Sequence, residues 1–157
     1  MDDEQHHPQT PEGASPAGGP RDEFMPVAAP SVAALLAIFV GGAIGTVARY
    51  LLDAHHPVAQ GNFPWVTLVI NLSGSLASGL LIPLTERMAQ RAPLARPFLV
   101  IGFLGGWTTY STLAVESTLL AKDGDIATFL AYLAATVIGG LLLVMAGSAW
   151  GRRMLTR

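Results

Sequence analysis

The chain has 157 residues, 51% of them hydrophobic and 13% charged, with a mean hydropathy of +0.46 and a net charge of −2. Soluble domains carry about 25% charged residues, so the composition points to lipid rather than water as the solvent. There is no cysteine, which excludes disulfides and thiolate metal sites, and the nine Lys and Arg residues form no dense patch for nucleic acid.

Residues 1–30 include Pro8, Pro11, Pro16, Pro20, Pro26 and Pro30 among glycines and acids. Such a segment buries too little apolar area to offset its ordering entropy, so a disordered N-terminal tail is expected. It lacks the basic start and early apolar core of a secretory signal peptide. A first membrane span is predicted over 31–52, opened by the capping residue Ser31 and closed by Arg49, which can snorkel or face a protein interior. A second follows over 64–84, with Pro64 suited to a first helical turn and Trp65 to the membrane interface. The third, 97–120, carries GFLGGWTTYST in its middle, a poor sequence for a uniform helix. The fourth covers 125–150, and 152–157 is read as a basic C-terminal tail.

The fold class is therefore all-α, with four transmembrane helices in one domain over 31–151. Short loops favour antiparallel neighbours, and four spans put both termini on one side. That side holds Arg21, Arg87, Arg91, Arg96, Arg152, Arg153 and Arg157, against Arg49 and Lys122 opposite, so the positive-inside rule places the termini in the cytoplasm.

Small residues recur at helical spacing, with Gly41 and Gly45 forming one small-xxx-small step and Ser75 and Gly79 another. They allow close backbone approach in lipid and by themselves indicate packing. Asn71 stands mid-span, where its amide must find partners: a neighbouring helix, or an anion or water in a pore. In the third span Gly102, Gly105 and Gly106 precede Trp107, Thr108, Thr109, Tyr110, Ser111 and Thr112. A break here would expose half-helix ends, with carbonyls suiting a small cation and N–H and hydroxyl groups an anion. The alternative is an unbroken helix whose hydroxyls bond back to the preceding turn. Tyr110 and Leu113, three apart, are expected to share a face, and Glu116 to lie near a membrane border, touching water, capping a helix or pairing with Arg49.

Taken together, GGAIGTVARY (41–50), TLVINLSGS (67–75) and GFLGGWTTYSTLAVE (102–116) resemble the CrcB family, also called Fluc fluoride channels. The resemblance covers roughly 32–150. It implies a passive, non-enzymatic, fluoride-selective channel in the bacterial inner membrane. Fluoride trapped in the cytoplasm after entry as HF would leave down its gradient, lowering its toxicity. It further implies a broken third helix and an antiparallel, dual-topology homodimer with pores along the subunit interface. By the same resemblance, Asn71, Thr109, Tyr110, Ser111, Thr112 and Leu113 line the pore. Arg49 matches a vestibule arginine and Glu116 the acid after the aromatic motif. The backbone carbonyls of Gly105 and Thr108 match those holding a structural Na⁺ at the dimer centre. The chain departs from the family where two phenylalanines are usual, carrying Tyr110 and Leu113 instead. The arginine bias also strains dual topology, so an oppositely oriented homologue is the alternative partner. The rival functions are a proton-coupled small multidrug transporter, which needs a carboxylate deep in a span, and a non-conducting membrane assembly subunit.

Overall fold

A computed structural model describes residues 29–55 and 62–156. The segment expected to be a disordered tail lies outside them apart from Ala29 and Pro30. Helix α1 spans Val32–His55, and Ser31 Oγ accepts from the Ala34 N–H at 3.2 Å, the expected cap. Helix α2 spans Trp65–Arg87, directly after Pro64. The third span is in three pieces: a π-helical segment Arg96–Phe103, one α-helical turn α3, Leu104–Trp107, and helix α4, Tyr110–Lys122. Helix α5 spans Ile126–Leu155 and is capped by Asp125, which accepts from the Thr128 N–H at 3.1 Å. Hydrogen bonding from the Thr128 side chain, and then from this backbone N–H, holds the Asp125 carboxyl below its ordinary range.

The four apolar spans have 24, 23, 27 and 30 residues, enough to cross a hydrocarbon core of about 30 Å at 1.5 Å per residue. All four run beyond their predicted ends, because helical geometry continues into the interface, where charged side chains such as Arg87, Lys122 and Arg152 can reach water. Arg152 and Arg153 thus belong to the last turn of α5 rather than to a separate tail.

The spans pair by parity. Alternate spans run in the same direction, and each packs along the next-but-one. In the first pair, Gly41 and Gly45 of α1 meet the carbonyls of Phe98 and Phe103, while Gly102 and Gly106 of the third span meet those of Ile38 and Gly42. The two glycine steps interlock, and a Cβ at Gly102 would stand 2.7 Å from the Ile38 oxygen. In the second pair, Gly79 of α2 abuts Val144 and Gly147 of α5 abuts Leu76, and Ser148 Oγ donates to the Gly79 carbonyl at 3.3 Å. Where lipid is as apolar as the side chains, such backbone proximity and interhelical hydrogen bonding replace hydrophobic burial as the adhesive. Large apolar side chains accordingly face outward, among them Leu35, Phe39 and Ile44 on α1 and Val137, Leu141 and Met145 on α5. The interior cluster is small: Leu68, Leu113, Leu120 and Tyr132.

Candidate functional site

The third span is interrupted at its middle. Thr108 (φ −74°, ψ 155°) and Thr109 (φ −142°, ψ 125°) are both extended between α3 and α4. Threonine side chains bond to the helix ends on both sides of the break. Thr108 Oγ1 donates to the Leu104 carbonyl at 2.9 Å. Thr109 Oγ1 accepts from the Thr112 N–H at 3.2 Å, capping α4, and donates to Thr112 Oγ1 at 3.0 Å.

Helix α2 braces this break from one side. Asn71 Nδ2 donates to the Thr109 carbonyl at 3.0 Å, and Asn71 Oδ1 accepts from the Thr109 N–H at 2.9 Å. One amide thus replaces both backbone partners of an extended residue. Two residues on, Ser73 Oγ accepts from Trp107 Nε1 at 3.0 Å. At Gly74 the absent side chain leaves room for Thr108 Cγ2. The NLSG run is thereby shaped to the break: an amide for its backbone, a hydroxyl for the indole, and a glycine where the threonine methyl sits.

The bracing leaves carbonyls without donors. In a continuous helix the Thr109 N–H would bond the Gly105 carbonyl and the Thr112 N–H the Thr108 carbonyl. Here those N–H groups go to Asn71 and to the Thr109 hydroxyl, and no backbone donor among the described residues replaces them. The neighbouring Gly106 carbonyl is taken by Arg49 Nε at 3.2 Å, and Arg49 also pairs with Asp53 at 3.6 Å. Arg49 is therefore bound into the C-terminal turn of α3 and into its own helix. Its partner is Asp53, not Glu116.

Glu116 anchors a separate network. Its carboxylate accepts from Thr67 Oγ1 at 2.9 Å and from the Tyr132 hydroxyl at 2.6 Å, so α2, α4 and α5 are joined through one side chain. Thr67 and Tyr132 are fully buried, and Phe63 meets the Tyr132 ring edge-on at 5.6 Å. Neither Thr67 nor Tyr132 is singled out by sequence reasoning. Thr67 had a signal, lying one turn before Asn71 on the same helix face. Tyr132 lies in an apolar run, with nothing in the sequence tying it to Glu116. Tyr132→Phe should remove one of two donors to a half-buried carboxylate. The expected loss is about 1.5–3 kcal/mol of stability, read as a lower melting temperature in detergent; an unchanged melt would deny the network a structural role.

Tyr110 and Leu113 do not share a face as expected. Tyr110 is 82% exposed, whereas Leu113 is buried against the interior cluster. With 300° between residues three apart, the boundary of the protomer falls between them. Ser111 is exposed beside Tyr110, and Gly105 faces open space. Asn71, Thr109 and Thr112 come together at the break, with Tyr110 and Ser111 on its outer side and Leu113 behind it.

A family model described as "CrcB-like protein, Camphor Resistance (CrcB)" matches residues 36–148, which contain the whole of this arrangement. The chain belongs to the CrcB family. Over 120 residues it is 40% identical to a protein named fluoride-specific ion channel FluC 2 from Nocardia farcinica, covering 76% of this chain and 86% of that one. Chlorobium luteolum has a FluC 40% identical over 113 residues, with 72% and 88% covered. A FluC 1 from Streptomyces coelicolor is 39% identical over 118 residues, with 75% and 77% covered. CrcB membership and four apolar spans make the chain a multi-pass protein of the bacterial inner membrane.

Proposed function

We propose that this CrcB chain is a subunit of a fluoride-selective channel that lets cytoplasmic fluoride leave passively down its electrochemical gradient, lowering fluoride toxicity. It is a channel and not an enzyme. The observation that carries the reading is the break at Thr108–Thr109. It places the N-terminus of α4 in the middle of the membrane, with the hydroxyls of Thr109, Ser111 and Thr112 around it. A helix N-terminus and clustered hydroxyls offer hydrogen-bond donors and a positive potential, which favour a small, strongly hydrated anion that must shed water. The Tyr110 ring extends this donor-rich surface, since an aromatic edge carries partial positive charge.

An interrupted backbone with polar groups cannot face lipid. In the protomer, Tyr110, Ser111 and Gly105 lie on an open side. A second subunit in antiparallel orientation would cover that side and complete the pores. The donor-free carbonyls of Gly105 and Thr108 fit a Na⁺ at the centre of such a pair, because unwound carbonyls at a half-helix C-terminus are hard-oxygen ligands. The ion would neutralise carbonyl dipoles that otherwise converge in the membrane. Asn71 and Thr109 hold those carbonyls free.

The deciding measurement is anion flux from liposomes under a fluoride gradient without a proton gradient. Fluoride should leave and chloride should stay. Equal rates for the two anions would sink the selectivity, and a strict requirement for protons would revive a coupled transporter. Replacing Na⁺ by a large organic cation throughout purification should lower both fluoride flux and recovery of the paired form; indifference to that exchange would remove the ion from the proposal.

A further inference from the structure

Helices α2 and α5 end side by side, and their last turns carry both charge and exposed apolar surface. Arg87 donates to the Leu155 carbonyl, which holds the α2 guanidinium at the C-terminus of α5 beside Arg152 and Arg153. Arg91 and Arg96 follow on the connection to the third span and its first turn. All five arginines are exposed, and Glu86 is the one acid at this end among the described residues. Glu86 meets Arg96 at 3.4 Å, with both side chains about half exposed, so it neutralises little.

Charge alone would suit a free anion, an acidic protein or a lipid headgroup. The apolar groups at the same level favour the lipid. Gly151 abuts the Leu80 carbonyl and Pro83 of α2, so it marks the side of α5 that faces its neighbour. At 100° per residue Arg153 lies about 200° from Gly151, with Trp150 and Met154 about 60° and 100° from Arg153. The outer side of the last turns of α5 thus carries an indole, a guanidinium and a thioether together, and all three side chains are exposed. Met88 and Leu94 are exposed on either side of Arg91 in the same way. A soluble anion would use the arginines and leave these apolar groups in contact with nothing. A phospholipid uses both: guanidinium groups bind phosphate oxygens in pairs, and tryptophan favours the level of the glycerol and first methylenes.

We propose that the ends of α2 and α5 form a binding site for an anionic phospholipid. Its phosphate is held by Arg87, Arg152 and Arg153, and its upper acyl chains lie against Trp150 and Met154. Arginines at helix ends bind multiply charged headgroups. With Arg91 and Arg96 as a second basic group on the adjoining connection, a lipid with two phosphates, of the cardiolipin type, is preferred over one with a single phosphate. The bound lipid also relieves the mutual repulsion of five like charges at one end of the bundle, and so joins the α2–α5 pair to the start of the third span.

The test is made on the full chain, purified in detergent and stripped of lipid. Cardiolipin should raise the melting temperature by about 5 °C or more, phosphatidylglycerol by less and phosphatidylcholine not at all. Native mass spectrometry should show cardiolipin retained on the protein. The double variant Arg152→Gln, Arg153→Gln should weaken cardiolipin binding about tenfold or more. Trp150→Ala should weaken it several-fold while the arginines stay in place. Equal stabilisation by phosphatidylcholine would reduce the effect to solvation by lipid, and equal stabilisation by inorganic phosphate to a patch for any anion; either overturns the proposal. Unchanged cardiolipin binding in the double variant overturns the location. The N-terminal segment supplies a competitor in Asp2, Asp3, Glu4, Glu12, Asp22 and Glu23. A cardiolipin response that emerges only when these six acids are changed to amides would assign the arginines to the chain's own acidic segment instead of a lipid. None of these readouts uses fluoride, so the site and the channel stand or fall separately.

Discussion

Asn71→Asp should reduce fluoride flux by about a hundredfold or more, the largest effect expected of any isosteric change in the chain. The substitution keeps the oxygen that accepts from the Thr109 N–H but loses the Nδ2 that donates to the Thr109 carbonyl. It sets an anionic oxygen against that carbonyl and beside the hydroxyls at the start of α4. A fixed negative charge about 5 Å from a passing anion costs about 3 kcal/mol at an effective dielectric of about 20, and about 1.4 kcal/mol is a factor of ten in rate. Asn71→Leu separates the two roles of the amide. It adds no charge but removes both bonds to Thr109, so the break should lose its brace and the protein some stability, about 1–3 kcal/mol for buried groups left unpaired. Flux and melting temperature measured together distinguish the two. Asp should conduct poorly with a smaller loss of stability, and Leu should lose both. Wild-type flux in Asn71→Asp would remove the anion from the neighbourhood of this amide.

The roles of Asn71 also show where sequence reasoning reaches its limit. A lone amide amid apolar residues is legible as a group that must find partners, but the choice between a helix and an anion depends on what lies opposite. The structure supplies a helix with a break, and both ends of the amide contact one residue, Thr109. The spans themselves were legible because hydropathy over about 20 residues is a strong, local signal. The break was legible as glycine followed by hydroxylated residues. The π-helical segment before it was not, since no local pattern distinguishes i→i+5 from i→i+4 bonding, and its closing bond, Leu104 N–H to the Leu99 carbonyl, is visible only in three dimensions. The pairing of Gly41 and Gly45 with Gly102 and Gly106 was likewise hidden. Each step is readable alone, but their interlock is a fact of packing.

Leu113 is the residue whose meaning changed most. Read against the CrcB pattern it is a missing pore ring, and restoring phenylalanine looks like a gain. In the structure it packs with Leu68, Leu120 and Tyr132, the last of which donates to Glu116. A phenylalanine must fit within a filled cluster or turn outward. Adding volume to a packed site costs about 1–3 kcal/mol. The departure from the family pattern thus has a local rationale, a smaller side chain beneath the tyrosine network, that only the three-dimensional neighbours reveal.

Two single-methyl substitutions should have opposite fates, and the contrast tests the open face directly. At Gly45 an added Cβ would run into the Phe103 carbonyl, with the Trp107 nitrogen at 3.0 Å behind it. Both obstacles are backbone and cannot rotate away, so the two spans must separate and their interlock is lost. Gly45→Ala should cost at least about 3 kcal/mol and yield little monodisperse protein on size exclusion. At Gly105 nothing lies within 4 Å of an added Cβ. Within the protomer Gly105→Ala should be harmless or stabilising, since alanine is favoured over glycine in a helical turn by about 1 kcal/mol. If a second subunit closes over this face and brings its backbone near the Gly105 carbonyl, the same methyl should weaken pairing and lower fluoride flux tenfold or more while expression and helicity stay normal. Wild-type flux and pairing in Gly105→Ala would place the subunit contact elsewhere. A misfolded Gly105→Ala would mean that the open side is not open in the membrane.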